Sequence, residues 1–93
     1  MPTYVMLTNL TSDGVQTLKG NPNRVQEVNK EVEQLGVKVL TQYATLGQYD
    51  FVTIIEAPDD KTMAKCSVEL GSRGTMSSQT LAAIPIEELA SAL

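Results

Sequence analysis

Leu46-Gly47-Gln48-Tyr49-Asp50-Phe51-Val52 decides the fold of this chain. The stretch lies between two runs of strand character, residues 37–45 and 51–57, and is too short to be anything but a hairpin. Those two strands must therefore be antiparallel neighbours. Gly47 supplies the backbone freedom a tight turn needs, and Tyr49 and Asp50 set a phenol hydroxyl and a carboxylate beside it. The turn is both the pivot of the topology and a candidate site.

Upstream of the hairpin, residues 3–10 (Thr-Tyr-Val-Met-Leu-Thr-Asn-Leu) are short and β-rich. Thr11-Ser12-Asp13-Gly14 follows with cap and turn residues, which predicts a first strand and then one or two helical turns. Asn21 as N-cap with Pro22 at the first helical position opens a longer helix. Val25, Val28, Val32 and Leu35 recur on one face until Gly36 ends it. In the strand 37–45, alternation puts Val37, Val39, Thr41 and Tyr43 on one side and Lys38, Leu40, Gln42 and Ala44 on the other.

Downstream of the third strand, Pro58-Asp59-Asp60 is a stop followed by a cap for a second long helix, which carries Met63, Ser67 and Leu70 and closes at Gly71. Residues 75–84 read as a fourth strand. A short tail helix starts near Pro85, with Ile86, Leu89, Ala90 and Leu93 on one stripe. The order β-α-β-β-α-β is the split βαβ pattern of the α+β class: a four-stranded antiparallel sheet with both long helices on one face, plus a C-terminal helix. Residues 1–93 form one domain without linker or repeat.

In such a sheet the face away from the helices should be polar if the protein were a monomer. Here Val5 and Leu7 are apolar as well as Tyr4 and Met6, and Val52 and Ile54 as well as Phe51 and Ile55. A homodimer stacked through the sheet, closing into a barrel, would bury that second face. The alternative is that the tail helix folds back over it. Ninety-three residues bury only a little over about 60% of their unfolded surface, which also favours a partner.

The formal net charge is −4, and the seven Lys and Arg are scattered, so nucleic acid is not an expected partner. The chain has neither a basic leader nor an apolar run of the roughly 20 residues that a membrane span needs, which makes a membrane role unexpected and a cytoplasmic location the expectation. With no His, triads and His-based metal or haem sites are excluded; with one Cys, so is a CxxC metal carrier. No cofactor or metal is expected. Phe51 to Ala57 offers one aromatic and an acid, a poor match to the basic, aromatic strands of an RNA-recognition sheet.

Gly47, Tyr49 and Asp50 can be read as turn chemistry, or as the rim of a cavity where the phenol or carboxylate orients a small polar ligand. In Leu70-Gly71-Ser72-Arg73-Gly74, Arg73 could serve a small anion-binding turn, or the glycines could simply cap the helix. Cys66, mid-helix, reads as a buried spacer rather than a reactive thiol, and Met6, Met63 and Met76 as core filler.

The hairpin resembles the signature of the GYD domain family, named for the Gly, Tyr and Asp found here as Gly47, Tyr49 and Asp50. The opening Met-Pro-Thr-Tyr-Val, Glu56-Ala57-Pro58-Asp59-Asp60, Leu70-Gly71-Ser72 and Gln79-Thr80-Leu81 extend the likeness over nearly the whole chain. The resemblance implies a ferredoxin-like fold of the dimeric α+β barrel type and no particular reaction. Three functions are consistent with these readings. The first is a homodimeric small-molecule binding or sensing module, with Gly47, Tyr49, Asp50 and Arg73 as ligand-binding candidates. The others are a cofactor-free enzyme using Tyr49 or Asp50, and an accessory subunit in protein assembly.

Overall fold

The computed structural model describes residues 1–93. Its elements are β1 (Thr3–Leu10), α1 (Ser12–Gly20), α2 (Arg24–Gln34), β2 (Lys38–Ala44), β3 (Phe51–Glu56), α3 (Asp60–Gly71), β4 (Met76–Ala83) and α4 (Ile86–Ala92). The sheet order is β2-β3-β1-β4, with every neighbouring pair antiparallel. This strand order, with the helices on one face, is the ferredoxin-like α+β fold.

Three local features differ from the sequence expectation. First, the helix after β1 is a full nine residues, opened by Thr11, whose hydroxyl accepts from the Gly14 N–H at 3.2 Å. Second, α2 starts at Arg24 rather than at Pro22. Asn21 instead closes α1, donating its N–H to the Thr17 carbonyl at 2.9 Å, while its side-chain oxygen accepts from the Asn23 N–H at 3.2 Å. That side-chain turn competes with helical geometry and delays the next helix by a few residues. Third, the alternation in β2 breaks at a bulge between Val39 and Thr41. Past it, Gln42 pairs with Thr53 on the helix side, while Thr41 and Tyr43 pair with Ile54 and Val52 on the opposite face.

The end of α2 follows the sequence closely. Gly36, at φ +91°, donates to the Glu33 carbonyl at 3.1 Å, and Val37 donates to that of Val32 at 3.2 Å. This pair of bonds is a Schellman closure, and it buries Val32 against Val37. Asp59 caps α3 by accepting from the Thr62 N–H at 2.8 Å. The core then assembles from one side of the sheet: Tyr4, Met6 and Ile55 meet Val32, Met63, Cys66 and Leu70, with Val37 and Ala57 at its edge. Each such side chain contributes about 1.5–3 kcal/mol at most, so nine of them make a small core.

The other face carries no helix. Val5, Leu7, Val52 and Ile54 are half-buried there, and Tyr43 and Leu81 are exposed. The tail helix does not cover this face: α4 buries none of its residues, and Ile84, Ile86, Leu89 and Leu93 all meet solvent. The radius of gyration, 13.8 Å, exceeds the about 12 Å expected of a compact domain of this length, because the tail projects.

Candidate functional site

Two places hold the candidate residues. At the hairpin, Gly47 takes φ +110° with open space where a side chain would stand. Asp50 is fastened on every side. Its N–H donates to the Thr8 carbonyl, its own carbonyl accepts from the Thr45 N–H, and its carboxylate accepts from the Leu10 N–H, each at 2.8 Å. The carboxylate thus satisfies the end of β1 just beyond its ladder with β3. The Tyr49 hydroxyl donates to the Gln79 side-chain oxygen of β4 at 3.1 Å, on the helix-free face. Its carbonyl accepts from the Thr45 hydroxyl at 2.6 Å. These bonds tie the β2–β3 connection to β1 and β4.

The second place is a cavity of about 230 Å³ between the sheet and helices α1 and α2, lined by 21 residues of which 12 are hydrophobic. Arg73 lines it; Gly47, Tyr49 and Asp50 do not, although their neighbour Phe51 does. The structure therefore separates Arg73 from the other three candidates. Inside, a chain of hydrogen bonds crosses from helix to sheet. The Asn29 amide donates to the Gln42 oxygen at 2.8 Å, and the Gln42 amide donates to the Thr53 hydroxyl at 3.1 Å.

Where the cavity meets solvent, Arg24 and Arg73 both contact one oxygen of Glu31, at 3.4 and 3.3 Å. Arg24 also pairs with Glu27 at 3.3 Å and Arg73 with Glu69 at 3.5 Å. Two guanidinium groups thus face three carboxylates. The side chains are a quarter to a half exposed, so each pair contributes at most about 1 kcal/mol, and their main effect is to clasp α2 to the end of α3. Arg73 lies in the turn that Gly74 completes at φ +76°.

Cys66 lines the cavity from α3. Burial pushes its thiol above the ordinary range, outweighing the pull of Arg73, so it is held as an uncharged core group. Tyr4 sits at the far end of the core, where its hydroxyl donates to Asp60 at 2.6 Å. That bond, with burial and the nearby Asp60 and Asp59 charges, pushes the phenol up to about 12. Asp59 is held below the usual carboxylate range by its bonds to Thr62.

Thr8, Arg24, Asn29, Gln42 and Thr53 are functional candidates that only the structure reveals. Strict alternation places Gln42 on the wrong face, because a bulge is invisible to it. Asn29 lies among the solvated residues of an amphipathic helix, and nothing in the sequence marks it as half-buried.

Both places occur in a chain with known relatives. It is 50% identical over 90 residues to the "Glutamine synthetase and cystathionine beta-lyase binding protein" of Thermus thermophilus, covering 96% of this chain and 95% of that protein. Among solved structures it is similar to FFRP-DM1, with a TM-score of 0.60 at 19% identity over 90% of this chain and 100% of the other. It is also similar to TTHA0845, again from Thermus thermophilus, with a TM-score of 0.58 at 23% identity over 91% and 95%. Likenesses at these identities speak to the fold. Residues 4–93 match the GYD domain, from the first residue of the buried β1 face to the end of the tail, and the chain belongs to the GYD domain family.

Proposed function

We propose that this chain is a protein-binding subunit that works as a homodimer in the cytoplasm, stacking its helix-free sheet face on a second copy and binding partner enzymes. The observation that carries the partner reading is the 50% identity, over nearly both full lengths, to a protein named for binding glutamine synthetase and cystathionine beta-lyase. Those two enzymes are the partners proposed here as well.

The homodimer reading rests on the second sheet face. Four strands of about seven residues make a face of about 23 by 19 Å, or about 440 Å² in projection. A standard interface takes about 800 Å² from each partner, so the sheet face alone is small. The projecting tail, with Ile84, Ile86, Leu89 and Leu93 exposed, supplies the remainder by lying across the partner. Tyr49 and Gln79, bonded to each other on the same face, come to lie within the dimer.

Sedimentation velocity at micromolar concentration, followed by calorimetric titration into purified glutamine synthetase and cystathionine beta-lyase, tests both parts. A dimer that binds at least one enzyme is expected, and removal of residues 85–93 is expected to weaken the dimer. A monomer that binds neither enzyme overturns the proposal.

A second reading, a small-molecule binding module, is favoured by the cavity beside Arg73. It is compatible with the first, since a ligand seated under α1 and α2 leaves the sheet face and tail free. Heating the protein with a panel of small molecules and finding no rise in Tm with any of them would overturn it.

A further inference from the structure

The chain has two buried polar side chains, Thr8 and Thr53, and both line the cavity. They are on one face of the sheet: Thr53 pairs with Met6, and Thr8 is the next residue of β1 on that face. Buried hydroxyls in a small apolar core are costly unless something accepts or donates to them. Thr53 is served from one side by Gln42, which is itself served by Asn29. The bulge in β2 makes this possible. Strict alternation from Val39 would turn Gln42 to the opposite face and leave Thr53 without its partner.

The relay has a direction. Asn29 donates to Gln42 and Gln42 donates to Thr53, so the Thr53 oxygen is used as an acceptor and its proton remains to be given. We propose that the cavity binds a small uncharged molecule with an apolar body and one hydrogen-bond-accepting oxygen, which takes its hydrogen bond from the Thr53 hydroxyl beside Thr8. This inference rests on the small-molecule reading above and names the ligand class for it.

Size follows from volume. An apolar protein cavity of about 150 Å³ holds benzene, so 230 Å³ accommodates about nine non-hydrogen atoms. Charge follows from the lining. No carboxylate lines the cavity, so a cation finds no partner there, and Arg24 and Arg73 face it together. Those two guanidiniums are already matched by Glu27, Glu31 and Glu69, so an anion must displace Glu31 and meet a rim with an excess of negative charge. A neutral carbonyl, ether or alcohol oxygen meets neither cost.

Three probes of about nine non-hydrogen atoms each separate these terms: acetophenone, cumene and benzoate. Each is titrated into the isotopically labelled full chain, with binding read from amide chemical shifts. Acetophenone is expected to bind saturably, with shifts at Thr8, Thr53 and Cys66, and about five- to tenfold more tightly than cumene. Thr53→Val is expected to bring acetophenone down to the level of cumene. The wild-type comparison stands by itself if that variant does not fold. Equal binding of acetophenone and cumene overturns the acceptor assignment but leaves the small-molecule reading intact. Tightest binding by benzoate overturns the uncharged class and points to Arg24 and Arg73. Absence of saturable binding by all three overturns the inference and removes the cavity as support for the reading beneath it.

Discussion

Replacing Asp50 by Ala tests whether the signature aspartate anchors the fold or serves a ligand. Its carboxylate accepts one hydrogen bond, from the Leu10 N–H at 2.8 Å, at the point where β1 leaves its ladder with β3. A hydrogen bond to a charged acceptor contributes about 1.5–3 kcal/mol, and the half-buried position of Asp50 favours the lower end, about 1.5 kcal/mol. For a domain of this length 1 kcal/mol moves Tm by about 4–8 °C, so Asp50→Ala should lower it by about 6–12 °C. Asp50→Asn keeps an acceptor oxygen without the charge and should lose about half as much. The backbone bonds of residue 50 to Thr8 and Thr45 survive in both variants, so cooperative unfolding with an unchanged denaturant slope is expected. The assay is thermal and urea unfolding of the three proteins at one concentration, since a dimer makes Tm concentration-dependent. A Tm within about 2 °C of wild type for Asp50→Ala would refute the anchoring argument. A loss of enzyme or probe binding at unchanged Tm would move Asp50 from scaffold to site.

Other consequences can be checked on the same preparations. Gly14→Ala puts a methyl group 2.0 Å from the Thr75 carbonyl oxygen, so α1 must shift, and a loss of about 2 kcal/mol or more in urea unfolding is expected; Gly20→Ala, with nothing within 4 Å, should be neutral or slightly stabilising. Because the folded state raises the Tyr4 phenol from 10.0 to about 12, its contribution to stability is complete below pH 10, declines as pH rises from 10 to 12, and is absent above. The stability difference between wild type and Tyr4→Phe should therefore be flat up to about pH 9.5 and shrink beyond, and a difference that stays constant to about pH 12 would contradict the Asp60 bond. Cys66 should react with a thiol reagent only at the rate of opening, and acetophenone should slow that reaction further if it occupies the cavity.

The clasp at the rim and the relay inside the cavity connect these experiments. Glu31 holds Arg24 and Arg73 together from α2, close to Gly36 and its Schellman closure. A change that loosens the end of α2 therefore reaches the cavity through Val32, Arg24 and Arg73, which line it.

The order of elements, the antiparallel pairing of β2 with β3, the stop at Gly36 and the cap at Asp59 are all legible in the chain before it folds. Each depends on short-range chemistry: a two-residue or 3.6-residue period, a cap, or a glycine able to adopt positive φ. The apolar character of the second sheet face is legible too, since β1 and β3 read apolar at successive positions. Three matters were decided only in the folded molecule. Asn21 ends one helix instead of starting the next, because its side chain bonds two residues ahead. Gly14, which reads as a turn residue, is needed inside α1 for close approach to Thr75, far away in sequence. The bulge after Val39 turns Gln42 inward to Asn29 and Thr53, and with it places the polar wall of the cavity. Register and close approach depend on which distant strand or backbone lies opposite, and no local period encodes that.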